Sequence, residues 1–201
     1  MQVKNQMTRK VVTISPGTSI LRAMEIMRDK SIRHLPVVED GELVGLVTEG
    51  DLRQASLLSL VDKVSIEDVM IRKPVTISPE ASIEAAARLV YRHKIGGLPV
   101  VSGNKLVGIL TIVDLLSAFI QLLGILKASF RVDVVLGAKP RAFEEVSAVF
   151  RKYRAEIVSV GMSGHRDRRK RVCYFRVGKC PLKTITAELK EKGYRVLSVL
   201  E

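Results

Sequence analysis

The segment Val12-Thr13-Ile14-Ser15-Pro16 returns unchanged as Val75-Thr76-Ile77-Ser78-Pro79, 63 residues further along the chain. Sliding the sequence along itself by that offset also aligns Leu35-Pro36-Val37-Val38 with Leu98-Pro99-Val100-Val101, and Leu43-Val44-Gly45 with Leu106-Val107-Gly108. Thr48 meets Thr111 and Asp51 meets Asp114, with no gap. A match sustained over that length is an internal duplication. The period is too long for a solenoid and too short for two independent cores, so two half-domains packed face to face are expected.

Local signals agree in both copies. Val11–Ser15 and Pro74–Ser78 are β-branched and read as short opening strands. Ser19 and Ser82 are N-cap candidates. Ile20, Ala23, Met24 and Met27 fall at helical spacing, as do Ile83, Ala86, Ala87 and Val90, and both stripes read as core. Glu39-Asp40-Gly41 and Ser102-Gly103-Asn104 have hairpin chemistry between the two strands that follow. A last helix starts near Asp51 and Asp114. Each copy therefore reads βαββα. Arg53–Ile66 joins the copies, with a capping box expected from Ser65 to Asp68.

From Ser129 the rhythm changes. Strand-like RVDVVLG, EIVSVGMSG, RVCYFRVG and YRVLSVL alternate with two helical stretches, AFEEVSAVFRKYRA and PLKTITAELKEKG. Phe143, Val146, Val149 and Phe150 share one side of the first helix, and Pro181 and Gly193 bracket the second. The order βαββαβ is ferredoxin-like, so the fold class expected is α+β.

The 201 residues carry 33 Lys and Arg against 21 Asp and Glu, a net charge of +12 that suits anionic partners or a basic solvated surface. Two cysteines, Cys173 and Cys180, exclude a disulfide framework and show no metal-ligand spacing. Reduced thiols and a cytoplasmic setting are the expectation. The start MQVKNQMTRK lacks the apolar core of a signal peptide. Leu106–Leu126 is apolar but broken by Gly108, Asp114, Ser117 and Gln121, and reads as a strand and a buried helix rather than a membrane span. The run His165–Arg171 is strongly basic. It reads as a solvated hairpin, with phosphate contacts to nucleic acid as the lesser alternative. No nucleophile–base pair, phosphate-binding GxxxxGK[ST] loop or metal cluster is present in the sequence, so no catalytic and no metal-ligating residue is assigned.

The duplicated Gly45–Asp51 and Gly108–Asp114 carry the sharpest chemistry. Each sets a hydroxyl and a carboxylate three residues apart where a strand meets a helix. The unpaired N–H groups there favour an anion. The hydroxyl suits a phosphate and the carboxylate suits the paired hydroxyls of a ribose. The competing reading is that Thr48, Asp51, Thr111 and Asp114 only cap their helices. Repetition of the pair after matched strands favours binding.

On these residues the two copies resemble tandem CBS domains, a Bateman module, from Val3 to about Leu116: the family pattern of Gly, hydrophobic, any, Ser/Thr, two residues, Asp is intact twice. The resemblance implies a non-enzymatic regulatory sensor that needs no cofactor and binds an adenosine nucleotide (AMP, ADP or ATP) as regulatory ligand. S-adenosylmethionine or NAD is the alternative of the same chemical kind, and a basic nucleic-acid-associated regulator the alternative of another. Carried over by residue, Thr48, Asp51, Lys10, Val12, Ile32, Arg33 and His34 would form a first cleft. Lys73, Val75, Ile95, Gly96, Gly97, Thr111 and Asp114 would form a second. Arg33 and His34 would face phosphates, where the second copy has only Gly96 and Gly97. The rival for Arg33 is a surface salt bridge, and for His34 a satisfied half-buried histidine.

The tail resembles an ACT domain, an amino-acid-sensing and dimerising module. Ala138-Lys139-Pro140-Arg141-Ala142-Phe143 stands where that family carries Asp-Arg-Pro-Gly-Ala-Leu, so arginine replaces the glycine that admits a ligand. Dimerisation is then the expected role. The layout of CBS repeats at 3–60 and 64–126 and an ACT-like domain at 129–201 resembles the AcuB-like acetoin-utilisation group. A homodimer is expected from the apolar helix near Ile112–Leu126. A regulated protein partner is also expected, with no nucleic acid and no membrane.

Overall fold

The computed structural model describes residues 1–58, 64–127, 129–163 and 171–200. It divides into two compact units, Met1–Ala118 and Phe119–Glu201.

In the first unit each copy supplies a helix, a hairpin and a closing helix. The first has α1 (Ile20–Lys30), β1 (His34–Glu39), β2 (Glu42–Thr48) and α2 (Glu49–Leu58). A short α3 (Ile66–Val69) leads into the second, with α4 (Ile83–His93), β3 (Gly97–Ser102), β4 (Lys105–Thr111) and α5 (Ile112–Leu123). Ser19 and Ser82 cap α1 and α4 by accepting from the N–H groups of Arg22 and Ala85. Ser65 and Asp68 close the expected capping box on α3. Asp40 and Gly41 both take left-handed φ, 49° and 82°, which turns β1 into β2 in two residues. In the second hairpin Gly103, φ 61°, takes the first central position. Gly124, φ 66°, follows the end of α5, which therefore stops short of Leu126.

The four strands form one antiparallel sheet in the order β1-β2-β4-β3. The hairpins meet through Glu42 and Lys105, which are equivalent residues of the two copies, so the unit has a pseudo-twofold axis. Leu35, Val37 and Val47 in the first copy and Leu98, Val100 and Leu110 in the second are fully buried. Burying side chains of this size stabilises by roughly 1.5–3 kcal/mol each.

The opening strands depart from expectation. Val11–Ser15 and Pro74–Ser78 form no continuous strand, and each makes a single parallel bridge, Ile14 to Val37 and Ile77 to Val100. The reason is that each opening segment divides its hydrogen bonds between copies. Thr8 N–H donates to the Ile109 carbonyl at 2.9 Å and Ile109 N–H donates back at 3.0 Å. Ile71 and Leu46 exchange the matching pair at 2.8 and 3.1 Å. Met7 consequently lies on Gly108 and Met70 on Gly45, where a Cβ would collide with the methionine sulfur. Each copy is thus clasped by the first residues of the other.

The second unit contains β5 (Phe130–Val135), α6 (Ala142–Lys152), β6 (Ile157–Met162), β7 (Val172–Val177), α7 (Leu182–Glu191) and β8 (Arg195–Leu200). Its sheet order is β6-β7-β5-β8, antiparallel throughout. Val132, Val134, Cys173, Phe175 and Val177 pack on Val146, Val149, Phe150, Ile185 and Leu189. Phe143 is 44% exposed, yet its ring stacks 5.7 Å from Phe175. On the opposite sheet face Arg131 bonds both oxygens of the buried Asp133, at 2.8 and 3.0 Å, and lies 4.6 Å over the Tyr174 ring. The basic run His165–Arg171 lies outside the described residues except for Arg171.

Candidate functional site

A cavity of about 610 Å³ opens in the first unit where the helix starts of both copies converge. It brings together Lys10, Val12, Ile32, Arg33, His34, Thr48, Gly96, Thr111 and Asp114 of the residues expected from sequence. Asp51, Lys73, Val75, Ile95 and Gly97 do not line it. The grouping differs from the one the copies suggest separately. Lys10, Val12, Ile32 and Arg33 face the hydroxyl and carboxylate of the second copy, Thr111 and Asp114, with Thr48 also on the wall. The clasp causes this: once Thr8 pairs with Ile109, the residues that follow it pass beside the end of β4. Thr8, Ser31, Glu49, Gly50 and Ile109 also line the cavity, and nothing local in the sequence marks them.

The two Thr–Asp pairs have one geometry. Thr48 N–H and Oγ1–H both donate to Asp51 Oδ2, at 2.8 and 2.7 Å, and Asp51 N–H donates back to Thr48 Oγ1 at 3.3 Å. In the other copy the same three bonds measure 2.7, 2.7 and 3.4 Å. Both pairs are reciprocal helix caps. The cap uses only Oδ2, and Oδ1 of each carboxylate has no hydrogen bond among the described residues. Capping and ligand binding therefore need not compete for the same oxygen.

Charge in the cavity comes from both signs. Arg33 and Lys10 are exposed and enter no ion pair among the described residues. Glu49 pairs with Arg53 at 2.8 Å on the exposed surface. His34 is half-buried, with its imidazole pKa lowered below the ordinary value, first by burial, then by the adjacent Arg33, and partly restored by Asp51.

The glycines have a reason that the sequence comparison conceals. A Cβ on Gly96 would lie 2.9 Å from His34 Nε2, and one on Gly97 would lie 3.1 Å from the ring carbons. His34 and Gly97 are equivalent positions in the two copies. Residues related by a twofold axis meet there, and two large side chains would overlap. One copy fills the space and the other vacates it.

No group of three or more His, Cys, Asp or Glu among the described residues is placed to hold a metal. No helix among them is long and apolar enough to cross a membrane.

A duplicated helix–hairpin–helix frame with a shared cavity at its helix starts defines the class, and comparison with known proteins agrees. Residues 2–58 and 66–121 match the CBS domain family. The chain belongs to that family, with two CBS domains in tandem. It is 36% identical over 114 residues to the CBS domain-containing protein YhcV of Bacillus subtilis, covering 56% of this chain and 81% of that one. It is 42% identical over 115 residues to a homoserine O-acetyltransferase of Methanococcoides burtonii, but spans only 23% of that enzyme's length. Among solved structures, the CBS pair of protein MJ0100 in complex with 5′-methylthioadenosine and S-adenosyl-L-methionine aligns with a TM-score of 0.55 and 30% identity, over 59% of this chain and 95% of that one. CBSX2 in complex with AMP aligns with a TM-score of 0.54 and 32% identity, over 60% and 96%. A Vibrio cholerae structure described as an acetoin utilization protein (AcuB) aligns with a TM-score of 0.58 and 33% identity, over 63% of this chain and 97% of that one.

Proposed function

We propose that the protein is a non-enzymatic regulatory sensor that binds an adenosine nucleotide, AMP, ADP or ATP, in its CBS pair. The observation that carries this reading is the cavity itself. It sets two cations, Lys10 and Arg33, that enter no ion pair among the described residues, opposite a helix start whose carboxylate, Asp114, keeps one oxygen without a hydrogen bond among them. Phosphate suits the first side and ribose hydroxyls suit the second. CBSX2 with AMP supports the nucleotide class. The MJ0100 complex supports S-adenosylmethionine as the second reading within that class. The domains we assign are CBS repeats at 3–60 and 64–126 and a ferredoxin-like, ACT-type domain at 129–201.

The βαββαβ order and the β6-β7-β5-β8 sheet support the ACT-type assignment. Arg141 adopts φ 61°, the left-handed backbone that glycine takes freely, and places an arginine at the start of α6. That favours a role in dimerisation or signal output over amino-acid binding. Ile112, Val113 and Leu116 on α5 are 50%, 62% and 57% exposed, which supports a homodimer. The protein would act in the cytoplasm on a partner protein.

Thermal-shift measurement with AMP, ADP, ATP, NAD and S-adenosylmethionine tests the reading, because a ligand of the native state raises Tm by linkage. A shift with one or more is expected; no shift with any at millimolar concentration overturns it.

A further inference from the structure

The side chain of His34 lies against the second copy's Gly96 and Gly97, and His34 also lines the cavity with Arg33 and Asp114. Sequence comparison leaves the second copy without a basic pair. The fold brings a basic ring of the first copy to that place. We propose that His34 serves this cavity as a proton-carrying group, taking up a proton when an anionic nucleotide binds, so that affinity is linked to pH.

The charges around the ring favour such a switch. Arg33 precedes it on the entry to β1, Lys10 comes from the opening segment, Asp51 and Glu49 from the start of α2, and Asp114 from the start of α5. Glu49 is paired with Arg53, and Arg33 and Lys10 stand with Asp51 and Asp114 among the remaining charges. In the free site burial, and then Arg33, hold the imidazole pKa below its ordinary value. A phosphate adds negative charge beside the ring and favours the imidazolium. The complex then holds more protons than the free protein. Affinity falls as pH rises from the free-state pKa of the ring to its value in the complex, and is flat above it. One proton changes affinity by at most about tenfold per pH unit.

The inference rests on the nucleotide reading above, and the test separates the two. AMP and ATP are titrated separately into the full chain by calorimetry at pH 7.0, in two buffers of different ionisation enthalpy. Wild type, His34→Gln and Gly97→Ala are compared, with melting curves to establish folding. Wild type is expected to take up more protons per nucleotide than His34→Gln, by less than one proton. Gly97→Ala keeps the imidazole but pushes it from its seat, and is expected to fall between them. Equal proton numbers in wild type and a folded His34→Gln overturn the inference and leave nucleotide binding intact. If neither nucleotide binds wild type, the nucleotide reading fails and this inference falls with it.

Discussion

The first copy has Arg33 and His34 where the second has Gly96 and Gly97, although the residues on either side align without a gap. Compared as sequences, the second copy has lost a phosphate grip. Compared as packed structures, the two positions are halves of one contact, because the imidazole of His34 occupies the space that the glycines leave open. A duplicated chain that closes on a pseudo-twofold axis must break its symmetry wherever a side chain on the axis would meet its own equivalent. The copies differ at His34 and Gly97, where they touch, and that place borders the cavity.

The comparison can be broken at several strengths. Where the copies are alike, the largest effects should be equal. Leu35→Ala and Leu98→Ala, both fully buried, are each expected to lose roughly 2–5 kcal/mol in urea unfolding. Where they are complementary, effects should depend on the partner. Gly97→Val is expected to cost about 1–3 kcal/mol because the ring cannot be accommodated. Adding His34→Gly should recover most of that loss, by double-mutant analysis of unfolding.

The caps should separate stability from binding. Asp51→Ala and Asp114→Ala each remove the same reciprocal cap, and each is expected to cost about 0.5–2 kcal/mol of stability. Only Asp114→Ala is expected to weaken AMP binding in the described cavity by about tenfold, or about 1.4 kcal/mol, by calorimetry. Equal loss in both would mean that the crossed grouping of cleft residues is wrong. The smallest effect lies in the second unit. Arg141→Gly removes a left-handed strain, and is expected to add about 1 kcal/mol to stability in thermal unfolding.

Much of this was legible in advance. The Ser19, Ser65 and Ser82 caps, both hairpin turns and the order of elements from Ser129 onward rest on interactions within a few residues, which local chemistry specifies. The opening strands were not legible. Val11–Ser15 has strand composition, but a β-branched run becomes a strand only when one neighbour accepts its whole length. Here Thr8 bonds to one copy and Ile14 to the other.

The candidate site divides in the same way. The repeated Thr48–Asp51 and Thr111–Asp114 pairs are visible in sequence because each is a contact across three residues at one helix start. Which pair faces Lys10 and Arg33 is decided by the clasp of Thr8 on Ile109, a contact about a hundred residues apart in the chain.

By itself, the sequence determined that this protein is a duplication, which residue types recur in it, and the serine caps at which α1, α3 and α4 begin, since all of these are repeated patterns or short-range bonds. Only the tertiary structure decided that each copy is held by the other's first residues, that the cavity mixes the two copies, and that Gly96 and Gly97 are the space His34 needs. Those depend on packing across the pseudo-twofold axis, where residues far apart in the chain must share one volume.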